Sequence, residues 1–181
     1  MIVLLDSIRS VQNVGSIFRT ADAAGVEKIY LCGITPGPID QFGRFRPPFV
    51  KVSLGAEKTV PWDASAHSAR ATLKLLEKLK NEGYKIFAVE QDKKAILYYK
   101  LKPFAKAQGK NKNKLVLIFG NEINGVSRAI LKRCDKILEI PMRGAMVRQV
   151  HHPRHVGRGK ESLNVAVAFG IIIFNLIYKN E

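Results

Sequence analysis

Leu115-Val116-Leu117-Ile118-Phe119 runs for five residues without a polar side chain and stops at Gly120. A short apolar run bounded in this way reads as a buried strand. Gly120-Asn121-Glu122-Ile123-Asn124-Gly125-Val126-Ser127 follows it, a turn rich in Gly and Asn that leads into a predicted helix near Ser127. Gly120 and Gly125 let the backbone approach a ligand closely, and Glu122 puts a carboxylate in the same turn. Open α/β sheets bind their ligands where a strand ends in such a turn.

The rest of the chain is consistent with a sheet of this kind. Ile2-Val3-Leu4-Leu5 reads as a buried strand, and Asp6 to Gly15 as a polar turn, with Asn13 predicted to cap a helix through about Ala24. Val14, Ile17, Phe18 and Ala21 fall at helical spacing and form its inner face, Arg19 lies on another face, and Gly25 ends the helix. Lys28 to Cys32 is the next strand, completing a βαβ unit with a parallel sheet. Residues 34–62 carry Pro36, Pro38, Pro47, Pro48 and Pro61 and read as a long loop with at most a short helical turn. Phe42, Phe45, Phe49 and Trp62 within it either anchor the loop to the core or, with Arg44, Arg46 and Lys51, face RNA.

A helix is expected from about Asp63 to Asn81, with Ala69, Leu73, Leu76 and Leu79 or Lys80 as its apolar stripe and Gly83 closing it. Lys85 to Glu90 is another strand. Residues 93–114 hold eight lysines and no acid, and Gly109 to Lys114 reads as a mobile loop, either solvated or in contact with phosphates. A helix over 127–134 leads to a last strand, Lys136 to Ile140, which Pro141 ends. Residues 162–180 form the final helix. No repeat or linker interrupts the chain, so 1–181 reads as one α/β domain with an open, mostly parallel sheet flanked by helices.

A hydrophobic fraction of 46% over 181 residues fits a globular chain. The 30 Lys+Arg against 15 Asp+Glu leave a net charge of +15, which points to a polyanionic partner, nucleic acid. Cys32 and Cys134 have neither metal spacing nor a disulfide framework, which fits a reducing cytoplasm. The N-terminal apolar run is too short for a signal peptide. Val165 to Tyr178 is the most apolar segment, but it contains Asn175 and is shorter than the roughly 20 residues that span a bilayer. It reads as a core or interface helix rather than a membrane anchor.

Other chemistries lack their residues. No Lys-Ser/Thr pair follows the 120–125 turn, as a phosphate-binding Walker loop requires. No Gly-x-Gly-x-x-Gly follows the first strand, and no serine sits in a nucleophile elbow. His151-His152-Pro153-Arg154-His155 is a poor metal site, since Pro153 interrupts it, Arg154 opposes a cation and no carboxylate adjoins it.

Three patterns stand in order. Asn13-x-Gly15-x-x-x-Arg19 opens the first helix, Phe119-Gly120-Asn121-Glu122-x-x-Gly125 follows the central strand, and Ile140-Pro141-Met142-x-Gly144 precedes Ser162-Leu163-Asn164-Val165-Ala166-Val167-Ala168. In this order they resemble the SpoU/TrmH class of the SPOUT superfamily of RNA methyltransferases, and the resemblance covers nearly the whole chain. It implies a C-terminal deep trefoil knot, S-adenosylmethionine bound bent within it, methyl transfer to a ribose 2′-hydroxyl of structured RNA (tRNA or rRNA), and a homodimer with active sites near the interface.

Carried over by position, Val89, Glu90, Gly120, Asn121, Ile140, Met142, Ser162 and Leu163 approach the cofactor. Adenine needs apolar walls and backbone groups, which Ile140, Met142, Leu163 and the glycine turn supply. Arg19 matches the family arginine linked to activation of the ribose hydroxyl. Guanidinium stays protonated in proteins, so its expected part is to hold a phosphate and the 2′-oxygen in line with the methyl group. Asn13 and Glu122 orient Arg19 or the substrate, and Asn164 anchors the same polar cluster.

The chain departs from the family pattern at 145–161, where relatives have only a few residues. This stretch carries Arg148, Arg154, Arg158, Lys160 and three histidines, with Glu161 as its only acid. It is a basic flap gripping RNA, an excursion that leaves the site intact, or an insertion that damages the pocket. A non-catalytic RNA-binding protein on the same scaffold is the alternative function, and an α/β enzyme using another nucleotide is a further rival. No separate RNA-binding domain is expected.

Overall fold

The computed structural model describes residues 1–101, 114–142 and 162–178. In chain order it contains β1 (Ile2–Asp6), α1 (Val11–Ala23), β2 (Lys28–Cys32), α2 (Pro47–Ser53), α3 (Ala56–Thr59), β3 (Trp62–Asp63) and α4 (Ala69–Asn81). These are followed by β4 (Lys85–Val89), β5 (Ile96–Leu97), β6 (Leu115–Phe119), α5 (Arg128–Leu131), β7 (Lys136–Glu139) and α6 (Val165–Tyr178). The strands form one sheet in the order β3-β2-β1-β6-β4-β7-β5, and every ladder is parallel.

Helices cover both faces, which explains why β6 is apolar at every position. Leu115, Leu117 and Phe119 point into a layer with Phe18, Phe49 and Phe169, whereas Val116 and Ile118 point into one with Leu76, Leu79 and Ile130. A parallel strand covered on both sides needs apolar residues at every step rather than at alternate ones. The register sets Val89 opposite both Phe119 and Leu138, so β4, β6 and β7 end level at their carboxyl edge.

Several boundaries differ from the sequence expectation. Ser10, not Asn13, caps α1, and its hydroxyl accepts the Asn13 N–H at 3.2 Å. Asn13 lies inside the first turn, where its side chain is free for other partners. At the far end Gly25 has φ +65°, and the Gly25 and Val26 amides donate to Asp22 and Ala21, closing the helix as a Schellman motif.

The stretch expected to be a loop contains α2 and α3. Pro47 and Pro48 occupy the first turn of α2, where their missing N–H groups cost no hydrogen bond. Phe49 is fully buried edge-on to Phe18 at 5.1 Å. Gly15 makes that contact possible, because a Cβ there would lie 2.9 Å from the Phe49 carbonyl oxygen. Phe49 and Trp62 therefore anchor the segment, while Phe42 and Phe45 remain exposed.

The next helix starts at Ala69 rather than Asp63, which pairs in β3 instead. Thr72, Leu76 and Leu79 form its buried stripe, and Ala69 and Lys80 are exposed. Residues 96–97 add an edge strand the apolar pattern does not reveal, α5 covers only the start of the expected 127–134 helix, and β7 stops at Glu139. The final helix begins at Val165, with Asn164 before it. The 145–161 insertion, Gly144 and residues 109–113 of the lysine-rich loop lie outside the described residues.

Candidate active site

The turn after β6 folds back on itself. The Asn121 N–H donates to the Gly125 carbonyl at 3.1 Å and the Gly125 N–H returns to Asn121 at 2.9 Å. The Asn121 side-chain oxygen accepts the Ile123 and Asn124 amides at 2.9 and 3.0 Å, and its Nδ2 donates to the Ser7 carbonyl at 2.7 Å. Gly120 cannot carry a side chain, because a Cβ would fall on the backbone of Gly125 and Val126. Gly125 has φ +64°, and a Cβ there would strike the Glu90 carboxylate. That carboxylate accepts the Val126 N–H at 2.7 Å and the Gln91 N–H at 2.9 Å. Glu90, predicted as a cofactor contact, thus also holds the turn in shape.

Beside the turn lies an open cleft of about 310 Å³ at the carboxyl edge of β4, β6 and β7. Val89, Glu90, Gly120, Asn121, Ile140, Met142, Ser162 and Leu163 all line it, so the eight predicted cofactor residues come together. Glu122 lines it as well. Gln91, Phe119, Ile123, Gly125, Leu138, Val165 and Ala168 complete it, none of them among the expected cofactor contacts. Leu138 was accessible in principle as the neighbour of Val89, but only through the strand register. Below the cleft Phe119 meets Phe169 of α6 at 5.3 Å, fixing the helix to the strand that carries the turn.

Three of the four predicted catalytic residues form one chain of hydrogen bonds at the rim. Glu122 accepts the Arg9 N–H at 3.0 Å, the Ser10 N–H at 3.1 Å and the Asn13 Nδ2 at 3.1 Å. Asn164 Nδ2 donates to Asn13 Oδ1 at 3.0 Å, and Asn164 Oδ1 accepts the Ala166 and Val167 amides at the start of α6. Partial burial pushes the Glu122 carboxyl up, but the donors from Arg9, Ser10 and Asn13 together outweigh it and hold the group below the usual carboxylate range. Each amide orientation follows from its neighbours: Asn13 must turn its NH₂ to the carboxylate, leaving its oxygen for Asn164.

Arg19, the fourth, lies elsewhere. It is exposed on α1, does not line the cleft, and makes no ion pair among the described residues. Gly15 and Arg19 are four residues apart and share a stripe of the helix, so Arg19 faces the side on which α2 packs.

The sequence pattern of the SpoU rRNA methylase family matches residues 1–148. The chain belongs to that family. The SpoU match stops inside the 145–161 stretch, so Ser162-Leu163-Asn164 lies beyond it. Two similar relatives are the 23S rRNA (guanosine-2′-O-)-methyltransferases RlmB of Pseudomonas putida and Escherichia coli, each 28% identical. The alignments take in 100% and 97% of this chain but 60% and 59% of those proteins, so the chain spans about three-fifths of the length of the curated relatives it matches. Among solved structures, the A. aeolicus TrmH/SpoU tRNA modifying enzyme is similar at 28% identity and TM-score 0.71, covering 98% of this chain and 74% of that one. The AdoMet-bound rRNA methyltransferase of Sinorhizobium meliloti is similar at 26% identity and TM-score 0.73, covering 97% and 54%.

Proposed function

We propose that this SpoU-family chain is an S-adenosylmethionine-dependent methyltransferase acting on a ribose 2′-hydroxyl of structured RNA, either tRNA or rRNA. The observation that carries the reading is the convergence of eight cofactor-contact residues from four separate segments on one cleft. The cleft suits the cofactor. Its volume of about 310 Å³ is that of a small-molecule site. Val89, Leu138, Ile140 and Leu163 provide apolar walls for a purine ring, and the Gly120-Asn121 turn borders the same cleft. Bound there, S-adenosylmethionine supplies an electrophilic methyl group on its sulfonium. The net charge of +15 and the rRNA and tRNA named for the relatives support RNA as the acceptor.

The residues at the rim act by placement. Glu122 is a poor general base, because three donors already occupy its oxygens and its carboxyl is held below the usual range. Its part is to fix Asn13, and through Asn13 the Asn164 side chain, at the mouth of the cleft. Both amides then present fixed dipoles to an incoming ribose, which limits the reorganisation needed to reach an in-line approach.

Arg19 ties the reading to a homodimer. Within one chain its guanidinium stands off the cleft, so a second copy is the element that brings one to it. The outer face of α6, with Ile171, Phe174 and Tyr178 beside Tyr98, offers an apolar surface for that copy. The trefoil knot belongs to the same proposal, since Ile140 and Met142 precede the 143–161 stretch, Ser162 and Leu163 follow it, and all four line the cleft. No helix among the described residues is long and apolar enough to cross a membrane, and a cytoplasmic site of action fits the two free cysteines.

Calorimetry with S-adenosylmethionine, then incubation with methyl-labelled cofactor and total RNA, tests the proposal. Arg19→Ala should bind the cofactor as the wild type does and lose transfer. Transfer at the wild-type rate overturns the role of Arg19. Folded protein that binds RNA but no cofactor overturns the enzyme reading in favour of an RNA-binding protein on this scaffold.

A further inference from the structure

Residues 38–46, between β2 and α2, form a small hairpin whose backbone is tied down at each step. The Arg46 N–H donates to the Pro38 carbonyl at 2.9 Å, the Asp40 N–H to Arg44 at 2.8 Å and the Gly43 N–H to Asp40 at 3.1 Å. Asp40 Oδ1 accepts the Phe42 and Arg44 amides at 2.8 and 2.9 Å, and Ile39 pairs with Phe45 in an antiparallel bridge. The result presents aromatic rings to solvent: Phe42 is 68% exposed and Phe45 48% exposed.

A cation accompanies each ring. The Arg44 guanidinium lies 5.3 Å from the Phe42 centroid, and Lys58 Nζ lies 5.9 Å from that of Phe45. At the root, the Nε of Arg46 is buried without a hydrogen-bond partner among the described residues, closed to solvent and so not a donor to an incoming strand. Of two acids in the segment, Asp40 is engaged by the hairpin backbone, and Glu57 accepts from Ser53 and Gly55 at Oε2 only, its Oε1 being buried without a partner among the described residues. Phe49 and Trp62 already anchor this segment, so Phe42 and Phe45 are not needed for that purpose.

We propose that this hairpin is a stacking platform for unpaired bases of the RNA substrate, with Phe42 and Phe45 receiving base faces and Arg44 and Lys58 the adjoining phosphates. The proposal rests on the RNA methyltransferase reading and adds to it where the substrate lies. Exposed rings stack on any base, and the cations track its backbone. The location is suitable: α2, which the hairpin feeds, packs on α1 at Gly15, in the stripe that also carries Arg19. Bases held here would lead the strand past the arginine.

The test is fluorescence anisotropy of the full chain with a short mixed-sequence single-stranded RNA and with the same strand annealed to its complement. Phe42→Ala and Phe45→Ala should each weaken single-strand binding about tenfold and leave duplex binding unchanged. Phe42→Trp should retain binding, whereas Phe42→Leu should behave as alanine does. Arg44→Ala should reduce the slope of log affinity against log salt by about 0.7. Cofactor affinity should not move, because the hairpin does not line the cleft, and the melting temperature of Phe42→Ala should not move, because that ring is 68% exposed. Unchanged RNA affinity in Phe42→Ala, or full binding by Phe42→Leu, overturns the platform, the latter because leucine has no ring face on which a base can stack. Normal methylation by Phe42→Ala with an unchanged KM overturns the platform while leaving the methyltransferase reading intact. Loss of cofactor binding in the wild type fails that reading separately.

Discussion

Glu122→Gln tests the rim directly. The carboxylate accepts two donors at Oε1, Ser10 N–H and Asn13 Nδ2, and one at Oε2, Arg9 N–H. Glutamine can place its oxygen at the first position and keep two bonds. Its NH₂ then faces the Arg9 N–H, so one charge-assisted bond becomes a donor against a donor. Such a bond is worth about 1.5–3 kcal/mol, and the partial exposure of Glu122 argues for the lower end, about 1.5 kcal/mol. For a chain of this size each kcal/mol shifts the melting temperature by roughly 2–4 °C, so Glu122→Gln should melt about 3–6 °C lower at neutral pH. The sign of the pH dependence is fixed. The folded carboxyl is held below its ordinary value of 4.5, so its contribution is complete above that value and is lost as the pH falls through the lower folded one. Glutamine has no such titration, so the gap between wild type and variant should close in acid. Paired thermal melts from neutral to acid pH measure it. Equal melting temperatures at neutral pH, or a gap that persists unchanged in acid, would refute the hydrogen-bond account.

Other substitutions separate the parts of the site. Gly120→Ala drives a Cβ into the Gly125–Val126 backbone and should destabilise the turn by about 1–3 kcal/mol, with calorimetry showing weakened cofactor binding. Asn164→Ala removes the acceptor for the Ala166 and Val167 amides and should cost about 1 kcal/mol in urea unfolding. Asn164→Asp should keep that cap yet lower methyl transfer, because it cannot donate to Asn13. Burial pushes the Cys32 and Cys134 thiols up to about 12, so neither should react with a thiol reagent at pH 8 until the chain is unfolded, as a kinetic labelling assay would show.

Local pattern revealed much of the fold. Five of the seven strands are apolar runs long enough to read, and α1 shows its inner face in Val14, Ile17, Phe18 and Ala21. Ile96-Leu97 and Trp62-Asp63 were missed because two residues show no period. Pro47 and Pro48 suggested a break, yet proline interrupts a helix only after its first turn. Asn13 and Ser10 are both good capping residues three positions apart, and only the structure shows that Asn13 is drawn to Glu122 instead. Motif order brought the cleft residues onto one short list, because each lies next to a readable strand end or helix start.

Residue type and spacing fixed the five longer strands and the α1 helix, that the chain is basic, and that its central strand ends in a turn with glycine at two positions. These are local consequences of sterics and apolar burial. The strand order β3-β2-β1-β6-β4-β7-β5 was decided in three dimensions. It inserts β6 between β1 and β4, and so brings Glu122 to the start of α1, 109 residues earlier in the chain. The same packing leaves Arg19 off the cleft, on a helix face that periodicity could distinguish from the core but could not aim. A hydrogen bond between distant residues depends on how whole layers stack, and that free energy is spread over the entire core rather than written in either residue.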